Sequence, residues 1–422
     1  MTGRSPSLTA DGRVTDPTEP TRIESIGTPA VTMPGQSSTK ARLLRHEPDL
    51  RFAWLPGEVS TQAPISVEIH LTNVCNLRCT FCAYGQVRHQ EMLPPDLLAE
   101  LVDDLVGLTP TLKAVVFSGG GEPTVHPGFA EAVGRLADAG IEIGVITNGV
   151  RMPAAVLDAF LRCAWVRFSL DAPDPAHYQK VLSPHDPKNY DRVLQHMAQL
   201  SAARGPGWPA APVIGVAYLV DRGCQTDELL LKCLDIGAQV GADYVHYRPI
   251  FLTPALEPTR PLEQLRALEP VIDAHAHELR IAHQYPKFLV NYDKVIGQQP
   301  NARDARCPVV SDGLIAMVAA TGDVLPCYAH IMHGRTTAFG NLAKQRFADI
   351  WHGPLRQKVI AAIDAKNTCP FCRFQAANAM LHNLGDQRTG DGLQMTPGYE
   401  QGSLEPNMGY IVDPTDPHWK FL

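Results

Sequence analysis

HLTNVCNLRCTFCAYG, residues 70–85, places three of the chain's ten cysteines within one short loop. The loop follows ISVEIHL (65–71), a run rich in β-branched and apolar residues that predicts a β-strand. Cys75, Cys79 and Cys82 have the spacing CxxxCxxC. Such short separations let a loop turn back and direct three sulfurs to one side, where they can hold one iron-sulfur cubane. The stretch therefore predicts a metal-binding loop at the end of a strand.

The number of sulfurs in this loop indicates what the metal site could do. Three ligands leave one iron of a four-iron cluster open to a substrate or cofactor, whereas a fully ligated cluster mainly transfers electrons. A zinc site is the alternative and would need a fourth Cys or His nearby. His70 lies on the predicted strand and His89 in a polar loop. The spacing therefore favours a cluster over zinc.

Composition limits the kind of protein that contains this loop. With 422 residues, 45% of them apolar, the chain can form several packed units or one large α/β barrel with an appendage. A net charge of −7 gives no indication of a nucleic-acid or membrane partner. The sequence has neither a membrane-spanning apolar run nor a signal-peptide pattern. We expect a soluble cytoplasmic protein, in which clustered cysteines indicate metal or redox chemistry rather than disulfides.

Short β-rich runs alternate with longer amphipathic runs, which is typical of an α/β fold with a parallel sheet. The predicted strands are 65–71, 113–118, 141–147, 165–170, 213–220 and 244–250, and predicted helices include 94–108, 126–140 and 154–164. Six units are too few for an eight-unit barrel, so right-handed crossovers predict an open, partial (β/α)6 barrel. Its functional face is expected at the carboxyl ends of the strands, where the cysteine loop begins.

Composition also divides the chain. Residues 1–50 are rich in Thr, Pro, Ser and Gly and lack any apolar period, which predicts a disordered leader. We assign the partial barrel to 60–295, a small α+β domain to 300–385 and a C-terminal tail to 386–422.

A second cysteine set lies in the small domain and comprises Cys307, Cys327, Cys369 and Cys372. LIAMVAATGDVLPC (314–327) predicts a β-hairpin around a Thr-Gly-Asp turn. AFGNLAKQRFADIWHGPLRQKV (338–359) predicts a turn that leads into an amphipathic helix. Four cysteines can ligate one cluster completely, and a zinc ribbon is the alternative. Cys224, after the fifth predicted strand, could be a hydrogen-atom donor, although a buried core thiol is the simpler interpretation.

The first cysteine loop, with aromatic Phe81 before its last cysteine, resembles the signature of the radical S-adenosylmethionine (SAM) superfamily. Three further motifs lie where that family would have them. SGGGEP (118–123) follows the second predicted strand, TNG (147–149) the third, and SLD (169–171) closes the fourth. This resemblance implies that the amine and carboxylate of SAM bind the open iron of a [4Fe-4S] cluster. One electron then releases a 5′-deoxyadenosyl radical, and a flavodoxin or ferredoxin-type reductant would supply that electron.

The resemblance also implies a set of cofactor-binding residues: Phe81, Tyr84, Gly120, Gly121, Glu122, Asn148, Ser169 and Asp171. The two glycines would let the backbone approach the methionyl amine, and the glutamate would support their loop. Ser169 could hydrogen-bond the ribose or the carboxylate. Tyr84 could face the adenine or be a packed aromatic residue. Asn148 and Asp171 could instead cap the turns that follow them.

The second cysteine set, with its hairpin, FGNL segment and CxxC, resembles the twitch domain, the shorter relative of the SPASM domain. The resemblance implies an auxiliary [4Fe-4S] cluster in addition to the SAM-binding one. The implied metal ligands are then Cys75, Cys79, Cys82, Cys307, Cys327, Cys369 and Cys372. No cysteine follows Cys372, so the second auxiliary cluster of a full SPASM domain would have no ligands here.

Alternation along the strands indicates which side chains face the barrel lumen, above which a substrate would lie. In the first strand Glu68, His70 and Thr72 share one face, and in the sixth Tyr244, His246 and Arg248 do. An ionisable group is needed if a hydroxyl or amine loses a proton while its carbon is oxidised. The candidates are Glu68, His70, His246 and Arg248.

Family members with one auxiliary cluster include dehydrogenases of aminocyclitols and sugar alcohols in antibiotic assembly, and modifiers of ribosomal peptides. We expect two-electron oxidation of a small hydroxylated metabolite, such as a sugar, aminocyclitol or nucleoside. The leader is too short and polar to be a peptide-binding domain, which makes a peptide substrate the less favoured alternative. A redox-neutral epimerase, lyase or decarboxylase stays open. A non-catalytic metal-binding module would have no use for the Gly120–Gly121–Glu122 loop.

Overall fold

The computed structural model describes residues 62–82, 84, 90–183, 186–205, 211–250, 259–296, 306–328, 338–369, 374 and 378. All of these residues belong to one compact unit of the chain, Thr32–Leu422. The predicted leader and tail, the domain boundary near residue 300, His89 and Cys372 lie outside the described residues. The predictions for them stay predictions. None of the described helices is long and apolar enough to cross a membrane.

The strands form one sheet. They are β1 (Ser66–His70), β2 (Ala114–Ser118), β3 (Glu142–Thr147), β4 (Trp165–Ser169), β5 (Val213–Val220), β6 (Tyr244–Pro249), β7 (Ala282–His283), β8 (Ile315–Val318), β9 (Asp323–Leu325) and β10 (Gly340–Asn341). Their order is β10-β9-β8-β1-β2-β3-β4-β5-β6-β7. Neighbours from β1 to β7 pair in parallel. The predicted α/β fold and partial barrel are confirmed, and β7 adds a short parallel strand that the sequence did not indicate.

Helices connect these strands. They are α1 (Pro95–Val106), α2 (Phe129–Asp138), α3 (Ala154–Phe160), α4 (Pro175–Val181), α5 (Asn189–Ala203), α6 (Asp227–Gln239), α7 (Leu262–Arg266), α8 (Glu269–Leu279), α9 (Tyr285–Ile296), α10 (Pro308–Ser311), α11 (Phe347–His352), α12 (Pro354–Ala362) and α13 (Ala365–Thr368). A short 3₁₀ helix spans Pro123–Val125. This turn explains why α2 begins later than predicted, because His126 after it is extended.

The main core lies between the sheet and its outer helices. In α1 the buried residues Leu98, Leu101, Val102 and Leu105 recur at helical spacing and so form one apolar stripe. A chain of edge-to-face rings, Phe117–Phe129–Phe160–Phe168, runs through this layer with centroids 5.6, 6.0 and 6.2 Å apart. The outer face of β1, with Val67 and Ile69 fully buried, packs against the same core.

The opposite face of the sheet lines the lumen, and two aromatic rings form its floor. Trp165 and Tyr244 are buried there with small neighbours. A Cβ on Gly144 would lie 2.2 Å from Trp165 Cζ2, and one on Gly215 would lie 2.2 Å from Tyr244 Cζ. Only glycine on the adjacent strands leaves room for these rings. Because these apolar rings fill the floor, the polar residues that face the lumen lie nearer the carboxyl ends of the strands.

The hairpin predicted over 314–327 continues the barrel sheet. β8 pairs in parallel with β1, and β9 and β10 follow as antiparallel strands. The helix predicted within 338–359 is split into α11 and α12 at Gly353, which is extended. The cause is Pro354, because a residue before proline avoids the helical region. The small domain thus shares a sheet with the barrel rather than only packing beside it.

Candidate active site at the carboxyl ends of the strands

Residues 75–82, named the cluster loop, follow β1 and are held against the end of α4. Thr80 N donates to Val181 O at 2.8 Å, and Arg78 N donates to Leu182 O at 3.3 Å. These bonds pair the loop backbone with the last turn of the helix, where carbonyls lack intrahelical partners. The loop is therefore fixed to the end of α4, where Val181 and Leu182 belong to the outer apolar core.

The three thiols of the cluster loop share one environment. Leu77 N donates to Cys75 Sγ at 3.4 Å, and Asn148 Nδ2 lies 3.7 Å from the same sulfur. Burial, followed by the charges of Cys75 and Cys82, raises the pKa of the Cys79 thiol. Neighbouring thiolates repel one another, so a bound cation would favour their joint deprotonation. The sulfur set and its N–H donors fit an iron-sulfur cluster.

The Gly-Gly-Glu segment after β2 pairs with the chain that enters the cluster loop. Gly121 N donates to Thr72 O at 2.8 Å, and Glu122 N donates to Val74 O at 2.9 Å. A Cβ on Gly121 would lie 2.1 Å from Val74 O and 2.7 Å from Thr72 O. Here glycine is required because one backbone segment lies directly on the other. The contact fixes where the cluster loop begins.

Glu122 joins this segment to the turn after β3. Its buried carboxylate accepts hydrogen bonds from Thr124 N (3.1 Å), Thr124 Oγ1 (2.7 Å), Thr147 Oγ1 (2.7 Å) and Asn148 N (2.7 Å). Burial raises the pKa of Glu122, and these hydrogen bonds oppose that shift. Asn148 Nδ2 in turn donates to Asn76 Oδ1 at 2.7 Å. Glu122 and Asn148 thus connect three loops around the predicted SAM site.

A hydrogen-bonded series crosses the lumen face of β1 and β2. Ser118 Oγ donates to Glu68 Oε1 at 2.6 Å, and His70 Nε2 lies 3.3 Å from the same oxygen. His70 Nδ1 lies 3.5 Å from Tyr84 OH. Glu68 keeps 16% of its side chain exposed, whereas His70 keeps 2%. The Glu68 carboxylate therefore has the Ser118 hydroxyl and the His70 ring within hydrogen-bonding distance.

Three rings connect β1 with the residues that follow Cys82 and Cys327. The ring centroids of His70, Tyr84 and Tyr328 lie 5.9, 6.2 and 6.4 Å apart, all edge to face. Tyr84 is two residues beyond Cys82, and Tyr328 follows Cys327 directly. No local pattern indicated Tyr328, because the pairing of β8 with β1 is what brings this residue to His70.

The other side of the lumen is lined by β4 and β6. Arg248 Nη2 donates to both carboxylate oxygens of Asp171 at 2.9 and 3.0 Å. Arg167 Nη1 lies 3.1 Å from His246 Nδ1, which accepts this hydrogen bond. Burial raises the pKa of Asp171, and Arg248 opposes that shift. Arg167 was not among the predicted site residues, although it lies on the same face of β4 as Trp165 and Ser169 and could have been predicted from that alternation.

Three further predicted residues lie on the cluster loop, at the end of β4 and after β5. Phe81 packs against the outer apolar core, and Ser169 ends β4 half-buried. Cys224 is buried in the outer layer, where its thiol donates to Leu219 O at 3.1 Å. Burial raises the pKa of this thiol. The position supports the interpretation of Cys224 as a core thiol.

Three cysteines of the second set lie at the ends of described elements. Cys307 precedes α10, Cys327 follows β9 and Cys369 follows α13, each half-buried. Asn378 Nδ2 donates to Cys307 Sγ at 3.2 Å, while Asn378 Oδ1 accepts from Val309 N at 3.0 Å. A buried amide aimed at a thiol sulfur is typical of the surroundings of a metal thiolate.

Comparison with known proteins supports both sites. The radical SAM superfamily model matches residues 69–207, and the SPASM model, an iron-sulfur cluster-binding domain, matches residues 307–373. A tungsten-containing aldehyde ferredoxin oxidoreductase cofactor-modifying protein of Pyrococcus furiosus is 26% identical over 303 residues, which cover 67% of this chain and 79% of the relative. An AdoMet-dependent heme synthase of Methanosarcina barkeri is 23% identical over 363 residues, 80% of this chain and 96% of the relative.

A solved structure shows the same fold. Streptococcus suis SuiB bound to S-adenosylmethionine matches with a TM-score of 0.55 at 14% identity, over 80% of this chain and 74% of that chain. The residues matched by the two family models include the cluster loop and the second cysteine set. The chain therefore contains a radical SAM superfamily domain over residues 69–207 and a C-terminal iron-sulfur cluster-binding domain of the SPASM type over residues 307–373, and these domains imply SAM and [4Fe-4S] clusters as its cofactors.

Proposed function

We propose that this radical SAM enzyme oxidises a small hydroxylated metabolite, such as a sugar, aminocyclitol or nucleoside, by two electrons. The observation that carries the proposal is the Ser118–Glu68–His70 series, with Tyr84 and Tyr328 beside it. It provides a proton acceptor in the lumen between the two cysteine sets. Dehydrogenation of a hydroxyl-bearing carbon needs such an acceptor close to where hydrogen is abstracted.

The proposed oxidation removes a hydrogen atom, a proton and an electron from the substrate in three steps. A cluster held by Cys75, Cys79 and Cys82, with SAM bound to it, would supply the 5′-deoxyadenosyl radical that removes one hydrogen atom from the carbon. Glu68 accepts the hydroxyl proton, while Ser118 and His70 hold its carboxylate in place. Loss of one further electron gives the carbonyl. An auxiliary cluster on Cys307, Cys327, Cys369 and Cys372 would provide the acceptor for that electron.

Arg167, His246 and Arg248 have a different role in this proposal. Their hydrogen bonds tie β4 to β6 and to Asp171, so they form the wall that orients the substrate. A flavodoxin or ferredoxin-type protein is the proposed reductant. The main alternative is a redox-neutral epimerase, lyase or decarboxylase, which would use the same radical without an external electron acceptor.

The test removes one auxiliary ligand. Sugars, aminocyclitols and nucleosides are first screened for stimulation of SAM cleavage by the reconstituted enzyme. With an active compound, the ratio of oxidised product to 5′-deoxyadenosine is measured in wild type and in Cys327→Ala. We expect the variant to form 5′-deoxyadenosine but little oxidised product. The matched control is Cys163→Ala, because Cys163 is buried in the outer core and belongs to neither cysteine set.

An unchanged product ratio in Cys327→Ala, with the auxiliary cluster shown to be absent, would favour the redox-neutral alternative. The proton acceptor is tested separately with Glu68→Gln. This change should lower product formation by roughly 10²-fold or more while SAM cleavage without substrate persists. Glu100→Gln is its control, because Glu100 is exposed on α1. Equal product formation by Glu68→Gln and wild type would remove Glu68 from the proposal.

A further inference from the structure

Tyr178 on α4 has a buried hydroxyl that the reaction described above does not use. Its side chain is fully buried, and its OH makes no hydrogen bond within the described part of the chain. The neighbouring Tyr190 is satisfied, because its OH donates to Pro173 O at 3.4 Å. Native structures seldom leave a buried hydroxyl without an acceptor, since desolvation is then not compensated. An acceptor for Tyr178 is therefore expected among groups that bind to the folded chain.

The cluster loop lies directly over this tyrosine. Leu182 N donates to Tyr178 O at 2.8 Å, and the adjoining carbonyls of Val181 and Leu182 accept from Thr80 and Arg78. Cys79 lies between those two loop residues, and it packs against the same apolar core as Tyr178. The helix turn that contains Tyr178 thus supports the part of the loop that contains Cys79.

Electrostatics agrees with this placement. The pKa of Tyr178 is raised by burial first and next by the charge of Cys79, with smaller effects from Asp171 and Cys75. Asp171 already has both carboxylate oxygens bound by Arg248. Of the negatively charged groups that act on the phenol, the sulfurs of Cys79 and Cys75 are then the acceptors that Arg248 does not already bind.

We propose that Tyr178 OH donates a hydrogen bond to a sulfur of the cluster held by the cluster loop, either Cys79 Sγ or an adjacent sulfide, and so sets the reduction potential of that cluster. Donation to sulfur stabilises the more negatively charged, reduced cluster and raises its potential. Tyr178 is thus a residue of the outer apolar core that tunes the cluster. The inference rests on membership of the superfamily and not on the proposed substrate.

The experiment is a reductive titration of the reconstituted holoenzyme, followed by electron paramagnetic resonance. The signal that changes on addition of SAM reports the cluster of the cluster loop. In Tyr178→Phe we expect the ratio of reduced to oxidised cluster at a fixed potential to fall about fivefold, the size of one net hydrogen bond. For a one-electron couple this corresponds to about 40 mV. The auxiliary signal should keep its potential.

Tyr190→Phe is the matched control. Its ring packs edge to face on Tyr178 at 5.6 Å, so it tests a packing change without loss of the proposed bond. A second variant carries 3-fluorotyrosine at position 178, whose more acidic phenol should shift the ratio in the opposite direction. Opposite shifts in the two position-178 variants, with no shift in Tyr190→Phe, support the inference. The inference would be overturned if one of the two position-178 variants left the potential unchanged, or if Tyr190→Phe shifted it as much as Tyr178→Phe does.

Discussion

Gly121→Ala should separate the loop after β2 from the entrance to the cluster loop. The new Cβ would lie 2.1 Å from Val74 O and 2.7 Å from Thr72 O. Both oxygens belong to the backbone, so neither can rotate away, and side-chain Cβ atoms essentially never approach within 3.0 Å. The segments must move apart, which strains the bonds from Gly121 N (2.8 Å) and Glu122 N (2.9 Å).

The size of the effect follows from these contacts. Overpacking at a rigid position costs about 1–3 kcal/mol. Loss of two backbone hydrogen bonds adds about 0.5–1.5 kcal/mol each. A local cost of about 3 kcal/mol lowers the population of the correctly shaped loop by roughly 100-fold. We therefore expect the cluster loop to lose its cluster while the auxiliary site, ligated elsewhere in the chain, keeps its own.

The assay is iron content after anaerobic reconstitution, together with SAM cleavage. Wild type should hold about eight irons from two four-iron clusters, and Gly121→Ala about four, with no SAM cleavage. Gly205→Ala is the control, because a Cβ there would meet nothing within 4 Å. Wild-type iron content and SAM cleavage in Gly121→Ala would show that the backbone contact does not position the loop.

Three further predictions concern the clusters, the domain contact and pH. Replacing all three cysteines of the cluster loop by Ala should leave about half of the iron and abolish SAM cleavage, whereas two equivalents of zinc would contradict the cluster assignment. Asp104→Ala removes the acceptor for Phe347 N (2.9 Å) at the start of α11 and should lower the free energy of unfolding, measured by thermal denaturation, by about 1 kcal/mol. Asp103→Ala is the control and should have a smaller effect, because the Asp103 carboxylate is exposed. Burial lowers the pKa of His126 in the folded protein. The neutral side chain therefore contributes fully to the free energy of unfolding above about pH 6.5, the ordinary pKa of histidine. This contribution falls at lower pH, because the histidine then takes up a proton in the unfolded chain but less readily in the folded one. The melting temperatures of wild type and His126→Gln should therefore differ more at pH 7.5 than at pH 5.5, and a constant difference would contradict this.

The strands and their lumen-facing residues could be predicted from local pattern. β-branched runs located β1 to β6, and alternation placed Glu68 and His70 on one face because side chains in a strand alternate. The cysteine spacing identified the cluster loop for the same kind of reason, since all of its ligands lie within eight residues.

Long-range contacts could not be predicted in this way. The pairing of β8 with β1 depends on register between distant segments, for which a single sequence has no local signal. Tyr328 therefore gave no indication that it would contact His70. The sequence likewise did not indicate a special role for Tyr178, because an aromatic residue is expected at a buried position of a helix whether or not its hydroxyl has a hydrogen-bond partner.

The parallel pairing of β8 with β1 also bears on how the chain folds. β1 lies inside the sheet, yet the described strand that covers one of its two edges is Ile315–Val318, which is synthesised long after Ser66–His70. Until then that edge exposes unpaired backbone groups, which favour association with other chains. Contacts between such distant segments also slow folding. A fragment that ends before Ile315 should therefore aggregate even though it contains all three cysteines of the cluster loop, and cluster insertion should follow completion of the chain.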